Sequence, residues 1–161
     1  MQKKEEILES FKTAIKSTIK SISNKEDIEI SFGGQDILSD NNKLKLPEIY
    51  EFQNKINFDL TRALADSESL KLRYSDKKIF KNFEPKGSKA KKLYEIAEKI
   101  RYESIGTQEY QGIKENLINY YSSRKPPQNK QENIFFAFET YLRKEFFEAN
   151  KKLEKEEVLI K

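Results

Sequence analysis

The chain has 161 residues, 36% of them apolar and 36% charged, with a net charge of +4. That length fits one domain with a thinly supplied core. The longest apolar run, Ile134 to Phe138, falls far short of the roughly 20 residues a membrane span needs. The absence of both cysteine and histidine removes disulfides, thiolate nucleophiles, the commonest soft metal ligands and the usual neutral-pH proton shuttle. What is left is carboxylate, lysine, tyrosine or hydroxyl chemistry, or hard-cation binding by grouped carboxylates. Met1 to Glu9 lacks the apolar stretch of a secretory signal, so the expected location is cytoplasmic.

Leu8, Phe11, Ile15, Ile19 and Ile22 recur at steps of three and four, which predicts a helix from about Lys3 to Ser23. Ile28, Ile30 and Phe32 then alternate with Glu29 and Ser31 before Gly33-Gly34, as a short strand does, with a partner segment near Ile37-Leu38. Gln35 to Lys45 is polar and irregular and reads as a loop. Pro47 suits a first helical turn, so the stripe Ile49, Phe52, Ile56, Leu60, Ala63, Ser67, Leu70 and Tyr74 predicts one long helix over 47–74, with an interruption near Asp66 to Ser69. After Pro85 and Gly87, Ser88 can cap a helix carrying Leu93, Ile96, Ala97 and Ile100. Gly106 would end that helix and Thr107 would cap the next, marked by Ile113, Leu117 and Tyr120. That helix must stop before Pro126-Pro127. Following a polar linker over 128–132, Ile134, Phe135, Phe138, Leu142 and Phe146 form the most aromatic stripe, expected to be central or at an interface. The expected fold is mostly α: a single domain of about five helices over 1–149, at most a minor β segment near 28–38, and a charged, fraying extension over 150–161.

Charge is uneven, since residues 71–101 hold 11 Lys and Arg against 4 Asp and Glu. Such a segment attracts phosphate backbones or an acidic protein, or is simply a solvated surface. It lacks the Arg dominance and the interleaved aromatic platform that base recognition uses, so nucleic acid is not the expected partner. None of the five glycines builds a phosphate loop, and Asp36, Asp40 and Asn41 lack the spacing of a calcium loop. Glu103, Glu109 and Glu115 show no spacing that marks an acid–base pair and read as surface residues. More informative are charges set against apolar stripes: Arg62 and Asp66 four apart on one face, then Arg73 and Asp76. On the surface these would stabilise by tenths of a kcal/mol. Partly buried against Arg101 and Glu103, they would form a polar network that fixes helix docking.

At these residues the sequence resembles the CobT subunit of the aerobic, ATP-dependent cobaltochelatase. One block of the family, Arg-Gly-x-Ala-Asp followed by Ala-Leu-x-Leu-Arg-x-His-Asp, is met by Arg62, Ala65, Asp66, Leu70, Leu72, Arg73 and Asp76. A second, Arg-x-Glu-x-x-Gly followed by Gly-x-x-x-Asn-Leu, is met by Arg101, Glu103, Gly106, Gly112, Asn116 and Leu117. Ala63 replaces a glycine, Ser69 an alanine and Ser75 the family's histidine, so any role of that histidine is absent here. Relatives continue into an acidic linker and a von Willebrand A-like domain, and this sequence resembles the N-terminal region alone.

The resemblance implies a non-catalytic accessory subunit in cobalamin biosynthesis. Its partners would be an AAA+ ATPase and a large corrin-binding subunit, with self-association also open. Cobalt and ATP-Mg would be handled by those other subunits, leaving this chain without a cofactor, a metal site or catalytic residues. Its interface or structural residues would be Arg62, Asp66, Arg73, Asp76, Arg101, Glu103, Gly106, Gly112 and Asn116. The competing reading is a stand-alone basic helical module that binds nucleic acid or an acidic protein.

Overall fold

The computed structural model describes residues 2–40, 42–49, 51–52, 55–56 and 58–159, with side chains left undescribed at 2, 51–52, 55–56 and 148–159. Among these the chain is mostly helical, as its periodicity predicts, with six helices, a three-stranded sheet and a two-stranded ribbon. It divides into two compact units, residues 1–73 and 74–161.

The first unit opens with α1 (Gln2–Ser23), whose Ile15, Ile19 and Ile22 are buried at the predicted helical spacing. β1 (Glu29–Phe32), β2 (Leu38–Asp40) and β3 (Lys43–Leu46) form a sheet in the order β1-β3-β2. The first expected strand is present, but its partner differs. β1 pairs parallel with β3, Ile30 opposite Leu44 and Phe32 opposite Leu46, and β2 runs antiparallel on β3's other edge. The loop expected over 35–45 therefore contains strand. β2 is an edge strand whose Leu38 is largely exposed, so it lacks the apolar alternation that betrays a half-buried strand. In β3 the alternation is real, with Leu44 and Leu46 buried and Lys43 and Lys45 facing away.

Gly34 permits the sheet's first turn, because its φ of +77° is one that a side chain would disfavour. Its carbonyl accepts from Glu48 N–H at 3.1 Å, while the neighbouring Gly33 N–H donates to the Leu46 carbonyl at 2.9 Å. The core joins Ile15 and Ile19 of α1 to Ile28, Ile30, Leu44, Leu46 and Ala65, with Phe11, Phe32, Ile37 and Leu72 packed around them.

The long helix expected from Pro47 is corrected at its start. Pro47 follows β3 outside any helix, and Ile49 is buried from a non-helical segment. β4 (Glu51–Phe52) and β5 (Lys55–Ile56) pair antiparallel, and α2 runs over Phe58–Tyr74 without the expected interruption. Proline's fixed φ serves an extended exit from a strand as well as a helix start. The spacing Ile49, Phe52, Ile56 also misled, since it fits a helix stripe while the chain folds there as a ribbon.

In the second unit, α3 (Lys77–Asn82) and α4 (Ser88–Glu109) are followed by α5 (Gln111–Ser123) and α6 (Lys130–Leu159). Two expected caps are corrected. Gly87, at φ +95°, is the residue preceding α4, so Ser88 is already helical. Gly106 and Thr107 lie inside α4: Gly106 has no left-handed φ, and Thr107 Oγ1 donates back to the Ser104 carbonyl at 2.9 Å. The helix ends instead at Tyr110, whose N–H reaches the Gly106 carbonyl at 2.9 Å. α6 begins two residues inside the expected linker, capped by Asn129, whose Oδ1 accepts from Gln131 N–H at 2.9 Å.

Within this unit α4 packs against α5 and α6. Ile96, Ile100, Ile113 and Leu117 supply its apolar interior.

Truncation inside the first core should separate from truncation at its edge. Leu44→Ala should lower unfolding stability by about 2–5 kcal/mol and Leu38→Ala by no more than about 0.5 kcal/mol, read by chemical denaturation. Equal losses would displace β3 from the core.

Candidate functional site: buried polar networks

In α2, Asp66, Ser67, Glu68 and Ser69 are buried in succession beside Ala65 and Leu70. Glu68 Oε2 is buried without a hydrogen bond among the described residues and faces Lys71 Nζ at 3.6 Å, although polar side chains enclosed on a helix ordinarily find a hydrogen-bond partner. Ser69 does this locally, its Oγ donating to the Ala65 carbonyl at 2.6 Å. Asp66 is only 2% exposed, so it is no surface charge. Arg62, four residues earlier, is exposed and lies over the Phe11 ring at 5.8 Å, where Phe11 also meets Phe58 at 4.4 Å. Arg73 donates from Nη1 to the Ile22 carbonyl at 3.0 Å, tying α2 to the end of α1.

The Tyr74–Asp76 segment is fixed differently. Glu98 of α4 accepts from Arg101 Nε at 2.7 Å, Arg101 Nη2 at 2.8 Å and Ser75 Oγ at 2.6 Å. The same Nη2 donates to the Tyr74 carbonyl at 2.6 Å, and Tyr74 donates its hydroxyl to Glu109. The Arg101 guanidinium holds the Glu98 carboxyl below its ordinary range, with burial opposing and Ser75 assisting. Asp76 caps α3 by accepting from the N–H groups of Lys78 at 2.7 Å and Ile79 at 3.1 Å, and those two backbone bonds draw its carboxyl down. Ser75 thus works here as a hydroxyl donor between two helices.

A third network, centred on Tyr121, ties α4, α5 and α6 together. Glu103 is fully enclosed, at 0% exposure, and Tyr121 Oη donates to its Oε2 at 2.7 Å. Glu139 of α6, also buried, accepts from Arg124 Nη1 at 2.7 Å and pairs with Lys99 Nζ at 3.7 Å. The Arg143 guanidinium lies 3.7 Å from the Tyr121 ring centroid, with Lys99 at 5.4 Å and Arg124 at 5.6 Å. Burial pulls the Arg143 guanidinium below its usual range. Burial also works against the Arg124 charge, but Glu139 more than offsets it and raises that group. Burial, then the Glu103 charge and hydrogen bond, push the Tyr121 phenol far above its usual value.

The residues singled out by the sequence therefore divide. Asp66 and Glu103 are buried, and Arg73, Asp76 and Arg101 make defined bonds to backbone or carboxylate groups. Arg62 rests on an aromatic ring. Asn116 is half-buried on α5, and Gly106 is buried within α4. Gly112 is exposed in the first turn of α5 with open space where a Cβ would stand, so packing does not require it. Ser75 and Arg101 join the ends of the two sequence blocks through Glu98, whereas Glu103 turns to Tyr121.

Tyr121, Glu139, Lys99, Arg124 and Arg143 were not legible as a group. The one available signal was Glu139, a carboxylate embedded in the aromatic run of α6. The arrangement holds α4, α5 and α6 to one another. An enclosed carboxylate bonded to a neutral phenol has no face on which a substrate could lie. Among the described residues no group of three or more acidic side chains is placed to hold a metal ion, and no helix is long and apolar enough to cross a membrane.

Fold and networks together define a mostly helical protein in which a set of enclosed ionisable groups positions its own helices. Its sequence matches the family described as "Cobalamin biosynthesis protein CobT" over residues 5–133, and the chain belongs to that family. The match spans both sequence blocks and ends at the start of α6. No solved structure matches the chain significantly.

Two outcomes test the networks. Tyr121→Phe should cost about 1–3 kcal/mol by leaving a buried carboxylate short of a donor, and Asp66→Ala should lower the melting temperature more than Asp40→Ala does. Because the Tyr121 folded value is raised, its contribution is complete below about pH 10, the unfolded value, and is lost as pH rises beyond that. Phenolate absorbance checks this. Native wild type and Tyr121→Phe should ionise to the same extent at about pH 11, and the unfolded wild type should exceed the unfolded variant by one tyrosine.

Proposed function

We propose that this chain is an accessory, scaffolding component of a cobaltochelatase-like complex that inserts cobalt into a corrin ring, contributing protein–protein contacts with an AAA+ ATPase subunit. The observation that carries this reading is the family match over residues 5–133, which includes the segments holding Arg62, Asp66, Arg101 and Glu103. Chemistry supports the accessory role. With no cysteine or histidine in the sequence, cobalt would have no thiolate or imidazole ligand here. No phosphate loop is present for ATP, and the best-buried carboxylate, Glu103, is bound to a phenol. Cobalt, as cargo, and ATP with magnesium then fall to the partner subunits, and the large corrin-binding subunit supplies the reaction site. The role of this chain is to present a rigid helical surface, fixed internally by the three networks. It would work in the cytoplasm.

The test is association followed by turnover. The purified chain mixed with its cognate AAA+ subunit should give a shared peak in size exclusion, with nucleotide present or absent, while the chain alone inserts no cobalt into a corrin. Separate elution under both conditions, with the large subunit also present, would overturn the scaffold reading. Cobalt insertion by the isolated chain would overturn the accessory one.

A further inference from the structure

The segment Lys77–Lys92 carries seven lysines against a single carboxylate, Glu84, which is already paired with Lys91 at 2.7 Å. Lys92 is matched by Glu95 at 3.5 Å, and Asp76 is held by backbone N–H groups. Lys78, Lys81, Lys86 and Lys89 are exposed and have no ion pair among the described residues. In the same segment, one side of α3 anchors it. Phe80 stacks on Tyr94 of α4 with centroids 4.6 Å apart, and Tyr94 Oη donates to the Phe80 carbonyl at 3.3 Å. The adjoining side is bare: Ile79 is 59% and Phe83 72% exposed, four residues apart and linked by the bond from Phe83 N–H to the Ile79 carbonyl. Single exposed apolar residues are ordinary, but a rigidly mounted aliphatic–aromatic pair within a field of unpaired cations is not.

We infer that α3 and the start of α4 form a docking surface for an acidic protein segment that carries a large apolar anchor, the anchor resting on Ile79 and Phe83 and its carboxylates facing Lys78, Lys81, Lys86 and Lys89. This rests on the scaffold reading and names one face through which it would act. Charge complementarity selects the occupant. The surface is strongly cationic with no uncommitted carboxylate in its first half, so an acidic chain meets no like charge there. Nucleic acid fits less well, because the segment holds no arginine to fork onto bases or phosphates and its apolar pair includes an aliphatic side chain. A lipid surface fits less well too, since six helical residues and two apolar side chains fall short of the apolar face an interfacial helix buries.

The test uses the full chain and a fluorescein-labelled Glu-rich peptide with a Leu-Phe anchor, read by anisotropy. Saturable binding should weaken about tenfold on Phe83→Ser, an exposed position whose change leaves the helical signal in circular dichroism intact. It should weaken at least about tenfold on combining Lys78→Glu with Lys81→Glu, and progressively as salt rises. Replacing the peptide's Glu by Gln, or its anchor by Ser, should weaken it as well. Absence of saturable binding, an unchanged affinity for Phe83→Ser, or tighter binding to duplex DNA or phosphatidylserine vesicles than to the peptide would overturn the proposal. The two readings separate cleanly. If the wild type co-elutes with the AAA+ subunit and both variants do so equally well, this surface is wrong and the scaffold role stands. If the peptide binds as described but no chelatase subunit co-elutes, the surface stands and the scaffold role falls.

Discussion

A carboxylate removed from water must keep its hydrogen bonds, and in the second unit this constraint acts through Glu103. Fully enclosed on α4, it accepts the Tyr121 hydroxyl from α5, which sets the azimuth of both helices at once. The ring so positioned receives the Arg143 guanidinium of α6 on its face, while Glu139 of α6 draws in Arg124 and Lys99. An apolar contact between helices tolerates rotation and sliding, because dispersion is nearly direction-free. A phenol–carboxylate bond at 2.7 Å does not. The aliphatic interior of Ile96, Ile100, Ile113 and Leu117 supplies burial, and the polar network selects one docking among those that burial alone would accept.

The first unit reaches uniqueness by another route. Its sheet is small, but the pleat makes register decisive: a one-residue slip of β3 would turn Leu44 and Leu46 outward and Lys43 and Lys45 into the core. The backbone bonds from Gly33 and to Gly34 hold that register at the turn end. Here the alternation of side chains does what the buried charges do in the helical unit, and the core formed with α1 is built from apolar side chains.

This difference explains what could be read from the amino acids. α1, α4, α5 and α6 were legible because each repeats apolar residues at helical steps over several turns, a signal that local context seldom overrides. β2 and the ribbon of β4 and β5 were not, because two- and three-residue strands carry no periodicity. Ile49, Phe52 and Ile56 happened to fall at helical spacing. Asp66 could be singled out as a charge set into an apolar stripe, but Glu103, whose spacing read as surface, is fully enclosed, and the partners of neither could be read. Tyr121 lies eighteen residues from Glu103, and nothing in the spacing distinguishes it from its neighbour Tyr120. The stripe of α6 was identified by its aromatics, yet in the structure Glu139 is buried while Ile134 and Phe146 of that stripe stand exposed. A part-buried arginine–glutamate pair, Arg124 with Glu139, accompanies that burial.

Charge therefore serves two purposes in one sequence, and burial separates them. Glu98, Glu103 and Glu139 each lie beside a donor with no freedom to look elsewhere, and their energies are bound up with folding. Lys78, Lys81, Lys86 and Lys89 near Ile79 and Phe83 have the opposite status, because they are exposed to solvent. Moving a surface ammonium next to an external carboxylate changes little in the fold, so those groups keep nearly all of their attraction for whatever approaches. The scaffold role proposed for this chain would draw on both kinds: charges confined inside so that its geometry does not yield when gripped, and charges left outside so that a partner is drawn in over distances of about a Debye length before any apolar contact forms.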